Sequence, residues 1–395
     1  MIRLTGRAYE CCLEVLQLLK DAGHEVYIVG GAVRDAILGL PVSDFDLASS
    51  AKPEEIMASF HTVIPTGIDH GTVTVIHHGF SYEVTTFRTD VSYNDFRHPN
   101  AVSFLGSIEE DLARRDFTMN SLALSIDGTL IDLYSGQEDL KNRLIRTVGN
   151  PDERFQEDAL RMIRALRFQS TLNFTLDQQT EQALKKQADL LQYVAIERIQ
   201  MEFSKLLAGK AVDQALHALV QANVHLVLPE LQEIEQSFDE IPFLVNLTTE
   251  IERWAWLSST TEKPSQFLKK WRLSNRIIKE VEHLLVNVKN AQDKGWNKET
   301  VYNALPEVKS CERLRSVFEK RRPFLESVEQ ITSDLTITSS KMLAVTGEDL
   351  IHWRESSPGP WVGEALKQIE LAVINDEIKN EKSSIRRWLK QWQTQ

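Results

Sequence analysis

The strongest constraint on this chain is a change in its hydrophobic pattern near residue 150. Before that point, short β-prone apolar runs alternate with short helical segments, as in "EVYIVGG" followed by "AVRDAILG". After it, strand signals nearly vanish and apolar residues recur at a helical period over long segments, as in "AIERIQMEFSKLLAG". The pattern predicts an α/β (α+β) head over residues 1–150, followed by an all-α remainder.

The composition is that of an ordinary globular protein, and 395 residues suffice for two to four domains. No apolar run of about 18 residues occurs, so we expect no membrane-spanning helix. The three cysteines, Cys11, Cys12 and Cys311, have neither disulfide nor zinc spacing, and we expect them to be buried in a cytoplasmic protein. A net charge of −12 argues against nucleic-acid binding unless the chain has a local basic face.

The stretch "VSDFDLAS" places Asp44 and Asp46 one residue apart in a β-prone run. Residues i and i+2 of a strand share a face, so the two carboxylates would repel each other unless a cation lay between them. A third acid, Glu83, lies on a predicted strand that could pair nearby. Three acids on neighbouring strands fit a two-metal site with Mg²⁺ as the expected ion, although a bare D-x-D pattern more often marks a solvated edge strand.

Just upstream, "VGGAVRDAILG" ends a strand at two glycines where a helix begins. Gly30 and Gly31 have no Cβ atoms, so a ligand can approach the backbone closely, and helix-start N–H groups attract anions. Arg34, in the first helical turn, can reach the same phosphates. Paired glycines alone would indicate only a tight turn, but glycines, arginine and D-x-D together predict a phosphate cradle beside a metal site.

The combination "GGAVRDAILG…SDFDLAS" resembles the nucleotidyltransferase signature of the polymerase-beta superfamily, and most closely the class II (bacterial) CCA-adding enzymes. The resemblance implies an elongated molecule with a catalytic head, a helical neck carrying the nucleotide-base reader, and a helical body and tail that bind tRNA. We expect these domains at residues 1–150, 151–212, 213–330 and 331–395. The implied activity is template-independent addition of C, C and A to the tRNA 3′ end from CTP and ATP, with pyrophosphate released.

A second stretch, "RRDFTMNSLA", matches that family's second motif almost residue for residue. It contains Arg114, Arg115, Asp116 and Asn120, and the resemblance implies that they orient a ribose and triphosphate, with Arg115 on the nucleotide. The alternative interpretation of the same residues is a helix-cap acid with surface arginines.

A third stretch, "EDALRMIRALRF", places Asp158, Arg161, Arg164 and Arg167 at i+3 spacing, as one stripe along a predicted helix. A carboxylate only accepts hydrogen bonds and a guanidinium only donates them, so Asp158 with Arg161 could pair with the edge of cytosine or adenine. Uracil and guanine reverse both contacts and would be rejected. Arg164 and Arg167 would contact phosphates or stabilise the helix. The alternative is an ordinary helix with i,i+3 ion pairs, and the resemblance to the family's template motif favours the base-reading interpretation over it.

Two further segments complete the resemblance. Residues 87–107, with Asn94, Arg97, His98 and Pro99, match in position a flexible loop that the family requires to switch from C to A addition. In "AIERIQMEFSKLLAG" we interpret Glu197, Arg198 and Glu202 as ion pairs that stabilise the neck rather than as catalytic groups.

Alternatives remain open at the level of sequence. A poly(A) polymerase would share the head, an enzyme adding only CC or only A would share most motifs, and a catalytically silent RNA-binding protein is disfavoured by the intact acids and arginines. Basic and aromatic residues occur together in "FLKKWRLS", "FEKRRPF" and "IRRWLKQWQ", where they could bind RNA or cover the core. The oligomeric state is not predicted.

Overall fold

A computed structural model of the chain describes residues 4–90, 102–103 and 106–392. They divide into two compact units, unit 1 (Met1–Gln232) and unit 2 (Glu233–Gln395). All strands in the described ranges belong to unit 1, and unit 2 is helical there. The predicted fold class, an α/β head followed by an all-helical remainder, is confirmed.

The head of unit 1 is built on a seven-stranded mixed sheet with the order β3-β4-β5-β2-β1-β8-β9. Strand β2 pairs antiparallel with β1 and parallel with β5. The strands are β1 (Val26–Val29), β2 (Asp46–Ser49), β3 (Val63–Gly67), β4 (Thr72–His77), β5 (Phe80–Thr86), β6 (Thr89–Asp90), β7 (Val102–Ser103), β8 (Leu122–Leu124), β9 (Leu130–Asp132), β10 (Leu144–Ile145) and β11 (Thr175–Leu176).

The helices of unit 1 cover the sheet and then form the helical part that follows it. They are α1 (Arg7–Asp21), α2 (Gly31–Ile37), α3 (Pro53–Ser59), α4 (Ile108–Ala113), α5 (Gly136–Asn142), α6 (Pro151–Glu157), α7 (Leu160–Phe168), α8 (Gln178–Gln187), α9 (Ile196–Leu207), α10 (Val212–Gln221) and α11 (Val224–Val227).

Unit 2 consists of short and medium helices. They are α12 (Glu250–Ser259), α13 (Pro264–Lys270), α14 (Asn275–Lys294), α15 (Lys298–Asn303), α16 (Val308–Phe318), α17 (Leu325–Ser333), α18 (Gly347–Arg354), α19 (Pro360–Ile374) and α20 (Lys382–Trp392). The predicted division of the helical part into neck, body and tail stays a prediction.

The local pattern of the head is confirmed, with one correction. The strand, the glycine turn and the helix lie where their sequences predict. The alternating pattern of "GTVTVIHHG" and "FSYEVTTFR" predicts a hairpin with "HHGF" at the turn, and these segments form β4 and β5. Asp44, however, does not lie on β2, which begins only at Asp46. The physical reason is the register: Asp46 lies opposite Val29, the last residue of β1, so the residues before Asp46 have no partner on that side. The same-face argument therefore does not apply to Asp44.

The predicted helix that carries the arginine stripe is interrupted at its acidic residue. Asp158 has extended backbone angles (φ −146°, ψ 102°) and separates α6 from α7. Its side chain accepts a hydrogen bond from the N–H of Leu160 (3.1 Å), so it caps the start of α7 instead of continuing a helix. Arg161, Arg164 and Arg167 do share α7, as predicted.

The three cysteines are buried in the hydrophobic cores of the two units. Helix α1 turns one face to the sheet, and Cys11 and Cys12 on that face are fully buried free thiols, as Cys311 is in unit 2. Burial raises the pKa of Cys12 and of Cys311 to about 12, so both thiols stay protonated at neutral pH. None of the helices in the described ranges has the length and apolarity needed to cross a membrane.

Unit 2 is organised by buried aromatic rings and buried ion pairs. Trp254 and Trp271 are fully buried with ring centroids 5.2 Å apart. Trp271 comes from the predicted basic and aromatic patch "FLKKWRLS", so this ring serves the core. Glu252 on α12 is fully buried and accepts hydrogen bonds from Arg313 Nε (3.0 Å) and Nη2 (2.6 Å). The positive charge of Arg313 is therefore paired with a carboxylate that is inaccessible to solvent.

We predict that Glu252→Ala destabilises unit 2 by about 3–5 kcal/mol, because it leaves the Arg313 guanidinium without its buried partner. All eight tryptophans lie between Trp254 and Trp392, so tryptophan fluorescence during urea unfolding reports on this unit alone. The matched control is Glu250→Ala on the exposed first turn of α12, expected to cost less than about 1 kcal/mol. Equal effects of the two substitutions would contradict the prediction.

Candidate functional site

Unit 1 contains an open cavity of about 920 Å³ whose lining is dominated by charge. Nine lysines or arginines line it, against five aspartates, in a chain whose net charge is −12. The basic residues are Arg34, Arg88, Arg114, Arg115, Arg161, Arg164, Arg167, Arg198 and Lys205, and the acids are Asp35, Asp44, Asp46, Asp116 and Asp158. A cavity of this size and sign fits a polyanionic ligand such as a nucleoside triphosphate.

The predicted metal-binding acids lie near one edge of this cavity. Asp46 starts β2 and lies directly opposite Glu83 on the parallel strand β5, so the two side chains share a face of the sheet. Asp44 precedes β2, lines the cavity with Asp46, and accepts a hydrogen bond from the Ser43 hydroxyl (3.1 Å). Glu83 is not part of the cavity lining found in the described residues.

The pKa values of Asp46 and Glu83 are both raised, mainly because the two carboxyls are partly desolvated. Partial desolvation raises the pKa of Asp46; the charge of Arg115 opposes this rise and that of Asp44 adds to it. Desolvation, followed by repulsion from Asp46, raises the pKa of Glu83. Neither acid has an ion-pair partner among the described side chains.

The glycine turn brings two arginines close to the backbone. Gly30 has a φ of +68°, and a Cβ atom built there would lie 2.9 Å from Arg115 Nη1. At Gly31 the same atom would be 3.6 Å from Arg34 Nη2, an ordinary contact. Arg34 donates to both oxygens of Asp35 (2.8 and 3.0 Å), which fixes the plane of its guanidinium.

The two arginines of the second motif are held by an acid that sequence reasoning missed. Asp111 on α4 is almost fully buried and accepts hydrogen bonds from Arg114 Nε (3.0 Å) and Arg115 Nη2 (2.9 Å). We expected the adjacent Asp116 to accompany these arginines, but Asp116 pairs elsewhere. The i,i+3 and i,i+4 spacing in "EEDLARRD" is the signal that would have identified Asp111.

Asp116 instead joins the head to the following helices. Its Oδ1 accepts a hydrogen bond from Asn120 Nδ2 (3.0 Å), and its Oδ2 accepts from Arg164 Nε (2.8 Å). Asn120 Oδ1 in turn accepts from Arg34 Nη1 (2.8 Å). Burial alone would raise the pKa of Asp116, but the charge of Arg164 and these hydrogen bonds hold it well below its usual range. Asp116 is thus a permanent anion at neutral pH.

The remaining arginines of α7 are positioned by Glu202 and an aromatic ring. Glu202 on α9 forms ion pairs with Arg164 (3.4 Å) and Arg167 (3.0 Å), as predicted for a residue that stabilises the neck. The ring of Phe168 lies under the guanidinium groups of Arg34 (5.1 Å), Arg164 (5.6 Å) and Arg167 (3.9 Å). Burial, and then repulsion from Arg164, lowers the pKa of Arg167 to about 10, so it remains charged at neutral pH.

The predicted base-reading residues both line the cavity, but they do not pair with each other. Asp158 accepts hydrogen bonds from Arg198 Nη2 (2.8 Å) and Nη1 (3.3 Å). Arg198 was predicted as an ion-pairing residue of the neck, and it is one, although its partner lies in the cavity. No local signal connects residues 40 positions apart.

Arg161 is mostly buried, and its hydrogen bonds to the described residues do not use all of its N–H groups. Contacts in the described part of the chain use three of its five N–H groups, which donate to Glu157 and to the carbonyls of Arg154 (3.0 Å) and Arg114 (2.9 Å). The other two N–H groups of this cavity-lining residue have no hydrogen-bond partner among the described residues. The predicted loop residues Asn94, Arg97, His98 and Pro99 lie outside the described residues.

We predict opposite effects of alanine at the two glycines. Gly30→Ala forces a side chain into a left-handed backbone and against Arg115, at a cost of about 1–3 kcal/mol in the stability of unit 1. Gly31→Ala, at the first position of α2, is expected to stabilise the free protein by roughly 0.4–1 kcal/mol. Far-UV circular dichroism follows thermal unfolding of the whole chain, and tryptophan fluorescence follows thermal unfolding of unit 2 alone. Equal melting temperatures for both variants would refute the role of Gly30.

Comparison with known families divides the chain into three matched segments. The poly A polymerase head domain matches residues 26–146, and an RNA and SrmB-binding site of polymerase A matches residues 173–235. Domain 2 of tRNA nucleotidyltransferases matches residues 245–389.

Curated relatives match over nearly the full length. A CCA-adding enzyme of Bacillus cytotoxicus is 43% identical over 384 residues, covering 95% of this chain and 97% of that protein. A CCA-adding enzyme of Bacillus cereus strain B4264 is 43% identical over 382 residues, with 95% and 96% covered.

Solved structures give the same result. The Bacillus stearothermophilus CCA-adding enzyme in complex with CTP is 40% identical, has a TM-score of 0.91, and the match covers 99% of this chain and 98% of that one. A tRNA nucleotidyltransferase complexed with a primer tRNA and an incoming ATP analog has 25% identity and a TM-score of 0.62, with 81% and 98% covered. Matched in its head, its helical segments and its full-length relatives, the chain belongs to the family of CCA-adding enzymes, the tRNA nucleotidyltransferases.

Proposed function

We propose that this chain adds C, C and A to the 3′ end of tRNA, and that the arginine-lined cavity of unit 1 is the site of the reaction. In each step the terminal 3′-hydroxyl oxygen forms a bond to the α-phosphorus of CTP or ATP. The bond between that phosphorus and the β-phosphate oxygen breaks, and pyrophosphate leaves. The observation that carries the proposal is that Asp46, which lines this cavity, lies opposite Glu83 on the adjacent parallel strand.

Enzymes of this superfamily generally use divalent metal ions. Asp44 and Asp46 offer only oxygen donors, which suit hard cations, and neither Asp46 nor Glu83 has an ion-pair partner among the described side chains. We infer that Asp44 and Asp46 hold Mg²⁺ and that Glu83 assists in activating the hydroxyl. When bound, such ions lower the pKa of a coordinated hydroxyl and neutralise charge on the leaving phosphate.

The triphosphate is bound by arginines that are already oriented. Asp35 and Phe168 fix Arg34, and Asp111 fixes Arg115, so their guanidinium groups lose little freedom when phosphates bind. Gly31 lets the phosphates approach the backbone. Arg164 and Arg167, paired with Glu202, supply additional positive charge along α7.

Base selection rests on one acceptor and one donor. The Asp158 carboxylate accepts from the amino group of cytosine or adenine, and a free N–H of Arg161 donates to the adjacent ring nitrogen. Uracil and guanine present a carbonyl and an N–H instead, so both contacts become unfavourable. At roughly 1–3 kcal/mol for each unpaired buried group, two reversed contacts would reject UTP by about two orders of magnitude or more.

Arg198 orients the Asp158 carboxylate. Its two N–H contacts leave lone pairs of the carboxylate free, since each oxygen can accept more than one hydrogen bond. Asp158 also caps α7, which ties the base-reading carboxylate to the helix that carries Arg161. We place the protein in the cytoplasm, where tRNA and its precursors are processed.

The decisive experiment supplies the enzyme with Mg²⁺, labelled nucleotides and a tRNA lacking its three 3′-terminal residues. We expect two C additions, then one A, and no further extension, resolved on a sequencing gel. Asp44→Ala should abolish incorporation of every nucleotide, because it removes a metal ligand; Glu54→Gln, an exposed acid on α3, should leave activity unchanged.

The outcomes separate the alternatives. Continued extension with A would indicate a poly(A) polymerase, and arrest after CC would indicate a partial enzyme. Binding of tRNA without any product would indicate an RNA-binding protein. Full turnover by Asp44→Ala would refute the metal assignment while leaving the family membership intact.

We predict that Asp158→Ala relaxes base choice, because the carboxylate that accepts from the amino group is lost. The ratio of kcat/KM for CTP over UTP should fall at least about tenfold, which corresponds to roughly 1.4 kcal/mol. Single-nucleotide incorporation assays with each NTP measure it.

The matched control is Glu153→Ala, an exposed acid on the preceding helix α6. It should keep the wild-type ratio. If Asp158→Ala lowers activity equally with CTP and UTP, Asp158 is only a cap of α7 and does not read the base.

A further inference from the structure

A second cluster of chemically active side chains lies on the head, outside the cavity. Glu14 on α1 and the two histidines at the tip of the β4–β5 hairpin, His77 and His78, form it. His77 Nε2 is 2.8 Å from Glu14 Oε2, and His78 Nε2 is 3.1 Å from the same oxygen. In the described part of the chain, this is the one group of three or more His, Cys, Asp or Glu residues with all ligand atoms within 4.8 Å of one another.

The hairpin turn creates this convergence. His77 pairs with Phe80, so His78 and Gly79 form a two-residue turn, and both have positive φ angles (+49° and +83°). Adjacent residues of a regular strand face opposite sides of the sheet, but the left-handed backbone at His78 breaks that alternation. The two rings end with centroids only 4.3 Å apart. Asparagine, aspartate or glycine is the usual residue at this turn position, and histidine adds a second ligand atom there.

The cluster is accessible yet anchored. The side chains of Glu14 and His78 are about half exposed (48% and 53%), while that of His77 is 20% exposed and has the ring of Phe60 at 6.5 Å in an edge contact. Glu14 lies on a helix whose opposite face is packed on the sheet. A cation can therefore enter from solvent, and its ligands are carried by two rigid elements.

We propose that Glu14, His77 and His78 form a binding site for a late first-row divalent cation, with Zn²⁺ as the ion. Two imidazole nitrogens exclude Mg²⁺ and Ca²⁺, which take oxygen ligands, and favour zinc and its neighbours. Ligand atoms bound to one tetrahedral zinc at about 2.0–2.1 Å lie roughly 3.4 Å apart. Here both histidine nitrogens lie 2.8–3.1 Å from Glu14 Oε2, and all three ligand atoms lie within 4.8 Å of one another. Three protein ligands leave one position for water, and the bound ion would link α1 to the β4–β5 hairpin.

The test is a calorimetric titration of the full-length protein, purified without a histidine tag and stripped with a chelator. Zn²⁺ is titrated in the presence of excess Mg²⁺, so that the carboxylates of the cavity are occupied by the harder ion. We expect one Zn²⁺ per chain and a rise in melting temperature, because a ligand that binds only the folded state stabilises it.

Two variants remove one ligand each. His78→Asn keeps a residue that accepts the left-handed turn, and Glu14→Gln keeps the shape of the side chain. Each should weaken Zn²⁺ binding at least about tenfold. Glu10→Gln, one turn earlier on α1, and His61→Asn, an exposed histidine outside the cluster, should bind as the wild type does.

The proposal fails if no stoichiometric Zn²⁺ binding occurs with Mg²⁺ present, or if His78→Asn and Glu14→Gln bind as tightly as the wild type. It also fails if Asp46→Asn, and not the cluster variants, removes the binding. Circular dichroism establishes that each variant is folded. Visible absorption of bound Co²⁺, lost in the cluster variants and kept in the controls, provides a second readout that does not depend on nucleotide addition.

Discussion

The buried carboxylate of Asp116 is the interaction on which the site depends. It accepts hydrogen bonds from Asn120, beside the sheet, and from Arg164, on α7. Asn120 also accepts a hydrogen bond from Arg34 on α2, and Arg164 also donates one to Glu202 on α9. One anion thus fixes the relative positions of α2, α7 and α9, the elements that we propose bind the triphosphate and read the base. The lowered pKa of Asp116 agrees with this role, because it means that the fold stabilises the ionised carboxylate.

The cavity also resolves the conflict between a chain charge of −12 and an anionic substrate. The positive side chains of α2, α7 and α9 converge on one concave surface, while the excess of acids is distributed over the remainder of the chain. Electrostatic attraction depends on the local potential at the binding surface and not on the net charge. Net charge was therefore a poor guide to the partner, whereas the role of the α7 arginines in binding it stays a prediction.

Local patterns predicted the structure where local forces decide it. The β4–β5 hairpin, the glycine turn before α2 and the arginines of α7 all follow from short-range periodicity and turn chemistry. The failures have non-local causes. Strand β2 begins at Asp46 because β1 ends opposite it, and the helix predicted through Asp158 is broken where the side chain caps α7 and binds the distant Arg198. Periodicity contains no information about either partner.

Unit 1 contains two kinds of desolvated carboxyl group, which differ in the direction of their pKa shifts. Asp111 and Asp116 are buried beside arginines, and the charges of those arginines keep the pKa of both carboxyls low despite burial. Asp46 and Glu83 have raised pKa values, because desolvation acts on them without an adequate counter-charge. The first kind is neutralised by the fold and needs no ligand. The second kind has no ion-pair partner among the described side chains, and this difference is the physical basis of our proposal that a cation binds there.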